Sequence, residues 1–300
     1  MLASLAIGAA FVWILHRGAL PLIPDRRSFG GVRWWTVAAY LGICLVVHGL
    51  RASRWYWLLL AIHRVPFGRT LRVALIGFCA ILLMPFRSGE LVRPLLIRTR
   101  GELSGWAATG TVAAERIIDG LSLSVLLLLA LHYAKPLEPL PDHIGKLPVP
   151  AAAVPGAARA AVAMFSAAFA AMALFHWRRE WTRRLLLAAL GPISPRLAHW
   201  VAERVDQTAH GFGFLTRARY SIPFALMTLA YWSMNAVGSW LLAWGSGFDS
   251  ITLSQSCAVL GVLALGILLP AAPGFFGAFQ ISIYAGLALF FPTEQVVTEG

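Results

Sequence analysis

Residues 71–93 read LRVALIGFCAILLMPFRSGELVR. Residues 71–84 are as apolar as a membrane helix, but at 14 residues they fall short of the roughly 20 that a crossing needs. Pro85 and Gly89 then break the helix, and Arg87, Glu90 and Arg93 bring charge to the break. A soluble chain could place such residues in a surface turn. In a membrane chain, the short run and its breakers predict a re-entrant segment over residues 71–98, with Pro85 to Gly89 at the tip.

Composition decides between the two. Of 300 residues, 59% are hydrophobic and 13% charged, and mean hydropathy is +0.72. Soluble domains average about 45–50% and about 25%. The class is an integral membrane protein. The net charge of +12 comes from arginines that flank apolar runs. That distribution suits loops held at an anionic cytoplasmic surface, as in a bacterial inner membrane, and argues against nucleic acid as a partner. Cys44, Cys79 and Cys257 stand at no metal or redox spacing and read as small core residues. The twelve tryptophans cluster near span ends and read as interfacial anchors. No P-loop, G-x-S-x-G, H-E-x-x-H or C-x-x-C occurs, and no histidines pair at metal spacing. Neither a metal, a cofactor nor a catalytic constellation is expected.

The apolar runs predict an all-α polytopic bundle in a single transmembrane domain, residues 1–300. Spans are expected at about 2–15, 34–50, 105–133, 157–175, 222–244, 253–269 and 276–291. The first lacks a charged n-region and a cleavage site, so it reads as an uncleaved anchor. No soluble domain is expected before or after the spans. Residues 51–69, RASRWYWLLLAIHRVPFGR, have the Arg/Trp/Tyr content of a membrane interface. Residues 176–219 carry eight arginines against Glu180, Glu203 and Asp206, which makes this loop cytoplasmic. Residues 194–215 within it have helical spacing and are expected to lie along the membrane surface. No lysine or arginine follows residue 219, so loop charge does not orient the last three runs.

Between positions 87 and 119 lie five arginines and four acids. Arg98, Arg100 and Glu102 sit in a polar turn and read as solvated. Glu115, Arg116 and Asp119 sit ten or more residues into an apolar helix, with Glu115 and Asp119 four apart on one face. Charge at that depth costs several kcal/mol, so such groups pair with each other or face a cavity. Two readings stay open. One is an internal network, Arg116 bridging the carboxylates and Arg93 answering Glu90, that pins the re-entrant loop to its neighbour. In the other, the same groups line a cavity for a charged headgroup, since a guanidinium accepts phosphate as a planar fork.

A second interruption, LPAAPGFFGAFQ at residues 269–280, breaks a later apolar stretch without charges. Broken segments at corresponding places in two halves of a chain point to a site built from half-helices and to an inverted repeat. If they form one site, Gly274 is needed either for its missing side chain or for its backbone conformation.

Taken together, the stretch from Leu82 to Gly120 and LPAAPGFFGAFQ resemble the lysylphosphatidylglycerol synthase transmembrane-region family, a flippase-like membrane domain. The carrying residues are Pro85, Gly89, Glu90 and Arg93, then Glu115, Arg116 and Asp119, then Pro273, Gly274 and Gly277. The resemblance implies two re-entrant elements and a role in moving or handling lipids between leaflets. Two departures stand out. The family's aminoacyl-transferring domain is absent from these 300 residues, and the late segment has Gln280 and Phe275 where glutamate and a further glycine are common. The candidate headgroup-binding set is Arg87, Ser88, Gly89, Glu90, Arg93, Glu115, Arg116, Asp119, Pro273, Gly274, Gly277 and Gln280. The expected function is translocation of an anionic or phosphate-bearing lipid. The alternatives are an intramembrane lipid-modifying enzyme with Glu115 or Asp119 as base, or a scaffold for a separate lipid-modifying partner enzyme.

Overall fold

The computed structural model describes residues 9–10, 13, 17, 28–144, 146–148, 151–267, 273–275 and 277–299. Side chains at 28, 85–87, 147–148, 273 and 299 fall outside that description, as does most of the span expected at 2–15. The chain is an all-α bundle, and among the described residues its one sheet is a two-stranded hairpin, β1 (His143–Ile144) with β2 (Leu147–Pro148).

Helix α1 (Trp34–Leu60) runs ten residues past the span expected at 34–50. Nothing in residues 51–65 breaks a helix, since the first proline is Pro66. The interface-like stretch is therefore helix as far as Leu60, and it carries Arg51 and Arg54 into the bundle. Helix α2 (Phe67–Leu83) ends at Met84, whose backbone turns extended (ψ 140°) as the residue before a proline prefers. A 3-10 segment (Pro85–Leu91) and the short α3 (Val92–Ile97) lead back along α2. Arg69, near the start of α2, closes the base of this hairpin. Its Nη2 donates to the carbonyls of Ile97 (3.3 Å) and Arg98 (3.2 Å), and its Nη1 to Thr99 Oγ1 (3.2 Å). The chain thus returns to the start of α2 and forms a hairpin, the geometry that a re-entrant segment would need. Placed in a bilayer, Gly68→Cys and Arg100→Cys should both react with an impermeant maleimide from the same side. Labelling from opposite sides would rule out a re-entrant hairpin.

Helix α4 (Gly105–Ala134) is the central element, capped by Ser104, whose hydroxyl accepts the Ala107 N–H (3.1 Å). It packs against α5 (Val154–Trp177), α7 (Pro195–His210) and α9 (Leu253–Ile267). The arginine-rich stretch 176–219 folds as α6 (Arg179–Leu190) and α7, packed together, with Trp181, Leu185, Leu197 and Trp200 exposed beside arginines. That is the make-up of an interfacial helix pair.

Helix α8 (Ala218–Gly245) lies antiparallel along α1. Arg33 joins one end of the pair, donating to Trp244 O (3.1 Å) and pairing with Asp249 (2.8 Å). Arg217 joins the other by donating to Ala61 O (3.1 Å). Helix α10 (Ala278–Leu287) packs back on α9, and α11 (Thr293–Glu299) follows. The described turn of the second interruption, Pro273–Phe275, thus falls in sequence between two helices that pack on each other.

Polarity is distributed inside out. Leu45 is 77% exposed and Leu83 76%, while Arg54 and Arg93 are among the largest fully buried side chains. In water this would be untenable; in lipid, leucine is solvated and charge must be enclosed. The cysteines depart from expectation. Cys79 is exposed and Cys44 and Cys257 are only half-buried, because small thiols sit as easily against lipid as in a core.

Candidate functional site

Glu115, in the middle of α4, is fully buried and collects three guanidinium groups. Arg93 Nη1 from α3 donates to Oε2 (2.9 Å), Arg116 Nη2 to Oε1 (2.9 Å), and Arg54 Nη2 from α1 lies 3.4 Å from Oε1. One turn on, Asp119 Oδ1 accepts from Arg54 Nη2 (2.7 Å) and from the Trp232 indole of α8 (3.3 Å). Asp119 Oδ2 lies 3.3 Å from Arg116 Nη2. Glu90, on the 3-10 segment, pairs with Arg116 Nε at 3.7 Å. Five segments of chain thus converge on one charged layer, fully buried at Arg54, Arg93 and Glu115.

Arg116 bridges Glu115 and Asp119, between which it stands in sequence, and also reaches Glu90. Arg93 does not answer Glu90. It pairs with Glu115, because the hairpin's return leg lays α3 against α4 and turns Arg93 inward. Trp55, Phe78 and Tyr231 flank the layer. The Arg93 guanidinium lies 5.0 Å from the Trp55 ring centre, and Arg54 lies 4.8 Å from Tyr231. Trp55 is itself fully buried and donates to Thr111 Oγ1 (3.0 Å). Neither Trp55 nor Trp232 is the interfacial anchor that tryptophan placement suggests.

Arg51, one turn before Arg54, stacks 4.2 Å from the Phe78 ring centre, the same ring that the Arg93 guanidinium faces at 5.6 Å. It has no carboxylate partner among the described residues. The layer therefore holds four described arginines against three carboxylates. Donor capacity is left over as well: Nε of Arg51, Arg54, Arg93 and Arg116, Nη1 of Arg54 and Nη2 of Arg93 are buried without a hydrogen-bond acceptor. Buried donors without acceptors are scarce in folded proteins, and guanidinium donors are the costliest.

The remaining candidates divide. Ser88 and Gly89 lie on the hairpin tip beside Glu90, and the Arg87 side chain is outside the described residues. A Cβ at Gly77 would overlap the Arg93 side chain, so this glycine gives Arg93 its passage. Of the late segment, the 3-10 turn Pro273–Phe275 packs on α2, and Phe275 joins the cluster of Val73, Ala74 and Phe78. The 3-10 segment of the first interruption and the 3-10 turn of the second thus both pack on α2. Gly274 has open space around it but holds φ 71°, so its backbone conformation, not close approach, calls for glycine. Phe275 follows at φ 58°, a left-handed conformation that costs a side chain energy, at the position where the family resemblance implies glycine. The Gly277 N–H donates to Gln280 Oε1 (2.7 Å), which gives Gln280 a helix-capping contact. Arg98, Arg100 and Glu102 are exposed, as expected of a polar turn, and Glu102 lies 3.3 Å from His63.

Besides the pairing of Arg93 with Glu115, sequence spacing misses the contacts of Arg51, Arg54 and Trp232. A signal existed: Arg51 and Arg54 are three apart in a run with no helix breaker before Pro66.

Comparison with curated proteins and with solved structures finds no match. A family model does match, over residues 1–298. The chain belongs to the family described as the lysylphosphatidylglycerol synthase TM region.

Proposed function

We propose that the chain is a membrane-lipid translocator that takes an anionic lipid headgroup at the arginine layer beside the first hairpin. One observation carries this reading: Arg51 brings a fourth described guanidinium to three carboxylates, and buried donors on all four arginines lack acceptors. An anion bearing phosphate or carboxylate oxygens would satisfy both deficits, and guanidinium groups suit it as planar forks. The network can then work by exchange, Arg116 or Arg54 trading an internal carboxylate for a ligand oxygen and returning to it afterwards. Membership of a family named for a lipid synthase's membrane region supports a lipid-related role. The arginine-rich stretch 176–219 supports a cytoplasmic face and, with it, a bacterial cytoplasmic membrane.

Liposomes holding the purified protein and fluorescently labelled phosphatidylglycerol test the reading. Label should exchange between leaflets, with the lipid chemically unchanged. Arg51→Gln, which removes no ion pair, should leave the melting temperature in detergent unaltered and slow exchange at least ten-fold. A parental rate in that variant sinks the headgroup role of Arg51. Chemical alteration of the lipid would instead identify an enzyme, and neither result, a scaffold for a partner enzyme.

A further inference from the structure

Beside the charged layer, a groove of about 600 Å³ runs between α4, α5, α8 and α9. That lies within the range of about 300–1,000 Å³ typical of ligand sites. Leu126, Phe169, Leu229 and Val237 give it an apolar lining, with Ser122 and Thr228 as polar points. Two of its residues connect it to the headgroup layer. Trp232 lines the groove and donates its indole N–H to Asp119 Oδ1 (3.3 Å). Phe224 lines it too, and the Arg54 guanidinium lies 5.4 Å from its ring centre. Arg54 is fully buried, and its Nε and Nη1 have no acceptor. An apolar slot thus abuts a cation that still has donors to give.

We infer that this groove holds a hydrocarbon chain of the same lipid whose anionic headgroup the arginines take. The inference rests on the headgroup reading above and narrows it to a two-part ligand, head in the charged layer and chain along α8. Apolar packing alone selects little here, since bilayer tails are as apolar as the groove. Selection comes from linkage. Once Arg51 and Arg54 hold the head, the attached chain meets the groove at high effective concentration, and a free soluble anion gains nothing from it.

The test uses the full chain in phosphatidylcholine nanodiscs with phosphatidylglycerol carrying a diazirine midway along one acyl chain. Photolabelling should concentrate on α8 peptides containing Leu229 and Val237, saturate with probe, and be displaced by excess unlabelled phosphatidylglycerol. Ala225→Trp fills the groove from an exposed position and should cut this labelling at least five-fold; Ser233→Phe serves if the first variant folds poorly. Labelling spread evenly over lipid-facing helices and never displaced would mean that ordinary bilayer lipid fills the groove, which overturns the inference. Equal saturation by diazirine phosphatidylcholine would overturn the link between head and chain. If Arg51→Gln still abolishes preference for phosphatidylglycerol in the exchange assay while groove labelling stays unsaturable, the headgroup reading stands and the chain site falls. If instead the groove saturates and Arg51→Gln changes nothing, the headgroup reading is the one that fails, and the inferred link goes with it.

Discussion

Glu115→Ala should reduce the yield of monodisperse protein more than ten-fold, with a corresponding collapse of the detergent melting transition. The fully buried carboxylate answers Arg93, Arg116 and Arg54 at 2.9, 2.9 and 3.4 Å. Removing it leaves three cations with Asp119 and Glu90 alone, and breaking a buried ion set costs about 3–5 kcal/mol. The Arg54 and Arg93 side chains are fully buried, so they have no water to turn to. Glu115→Gln keeps the shape and one acceptor oxygen but loses the charge, so it should fall between parent and alanine. The double change Glu115→Leu with Arg93→Leu removes a pair together and should recover part of the loss, since apolar replacement of a whole buried pair is near neutral. Size-exclusion profiles and thermal melts of the set decide the matter. Parental behaviour of Glu115→Ala would show that the layer is not enclosed.

Gly89→Val should open the first hairpin. A Cβ at position 89 would overlap the carbonyl of Ala80 and the amide nitrogen of Ile81. Backbone cannot swing aside as a side-chain end can, so the tip must lift from α2 at more than the usual overpacking cost of about 1–3 kcal/mol. The lifted tip would carry Glu90 away from Arg116 and loosen the α3 leg that holds Arg93 against Glu115. Amide hydrogen exchange over residues 92–97 should quicken at least ten-fold, and lipid exchange should stop. Gly89→Ala should show a milder form of both. Unchanged exchange in the valine variant would mean that tip and helix do not pack as closely as described.

Much of this was legible in sequence, for reasons that differ by element. Helix α4 declares itself because thirty consecutive residues without proline span a membrane length, and the charges at 115, 116 and 119 stand out against that background. The first hairpin is legible from Pro85, Gly89 and the short run before them. Its closure by Arg69 is not, because the acceptors are carbonyls, which every residue has. Arg51 and Arg54 were hidden by their company: arginine among tryptophan and tyrosine looks like a headgroup-level stretch until the helix is seen to continue to Leu60. The pairing of Arg93 with Glu115 could not be had from spacing either. A three-residue interval made Glu90 the nearer candidate, and only the return of α3 against α4 reassigns it.

The pairing across distant segments bears on how the chain is made. Arg54 leaves the ribosome 65 residues ahead of Asp119 and 61 ahead of Glu115, its two acids. At roughly 5–20 residues per second, that is an interval of about 3–13 s. Throughout it, Arg54 of α1 has no neutralising partner, because Glu115 and Asp119 do not yet exist. Full burial of α1 in hydrocarbon during those seconds would be opposed by the cost of bare charge, whereas the headgroup layer solvates arginine readily. Biogenesis on this plan is therefore ordered by electrostatics: α1 waits at the bilayer surface, and the arrival of α4 with its carboxylates is the event that draws it in.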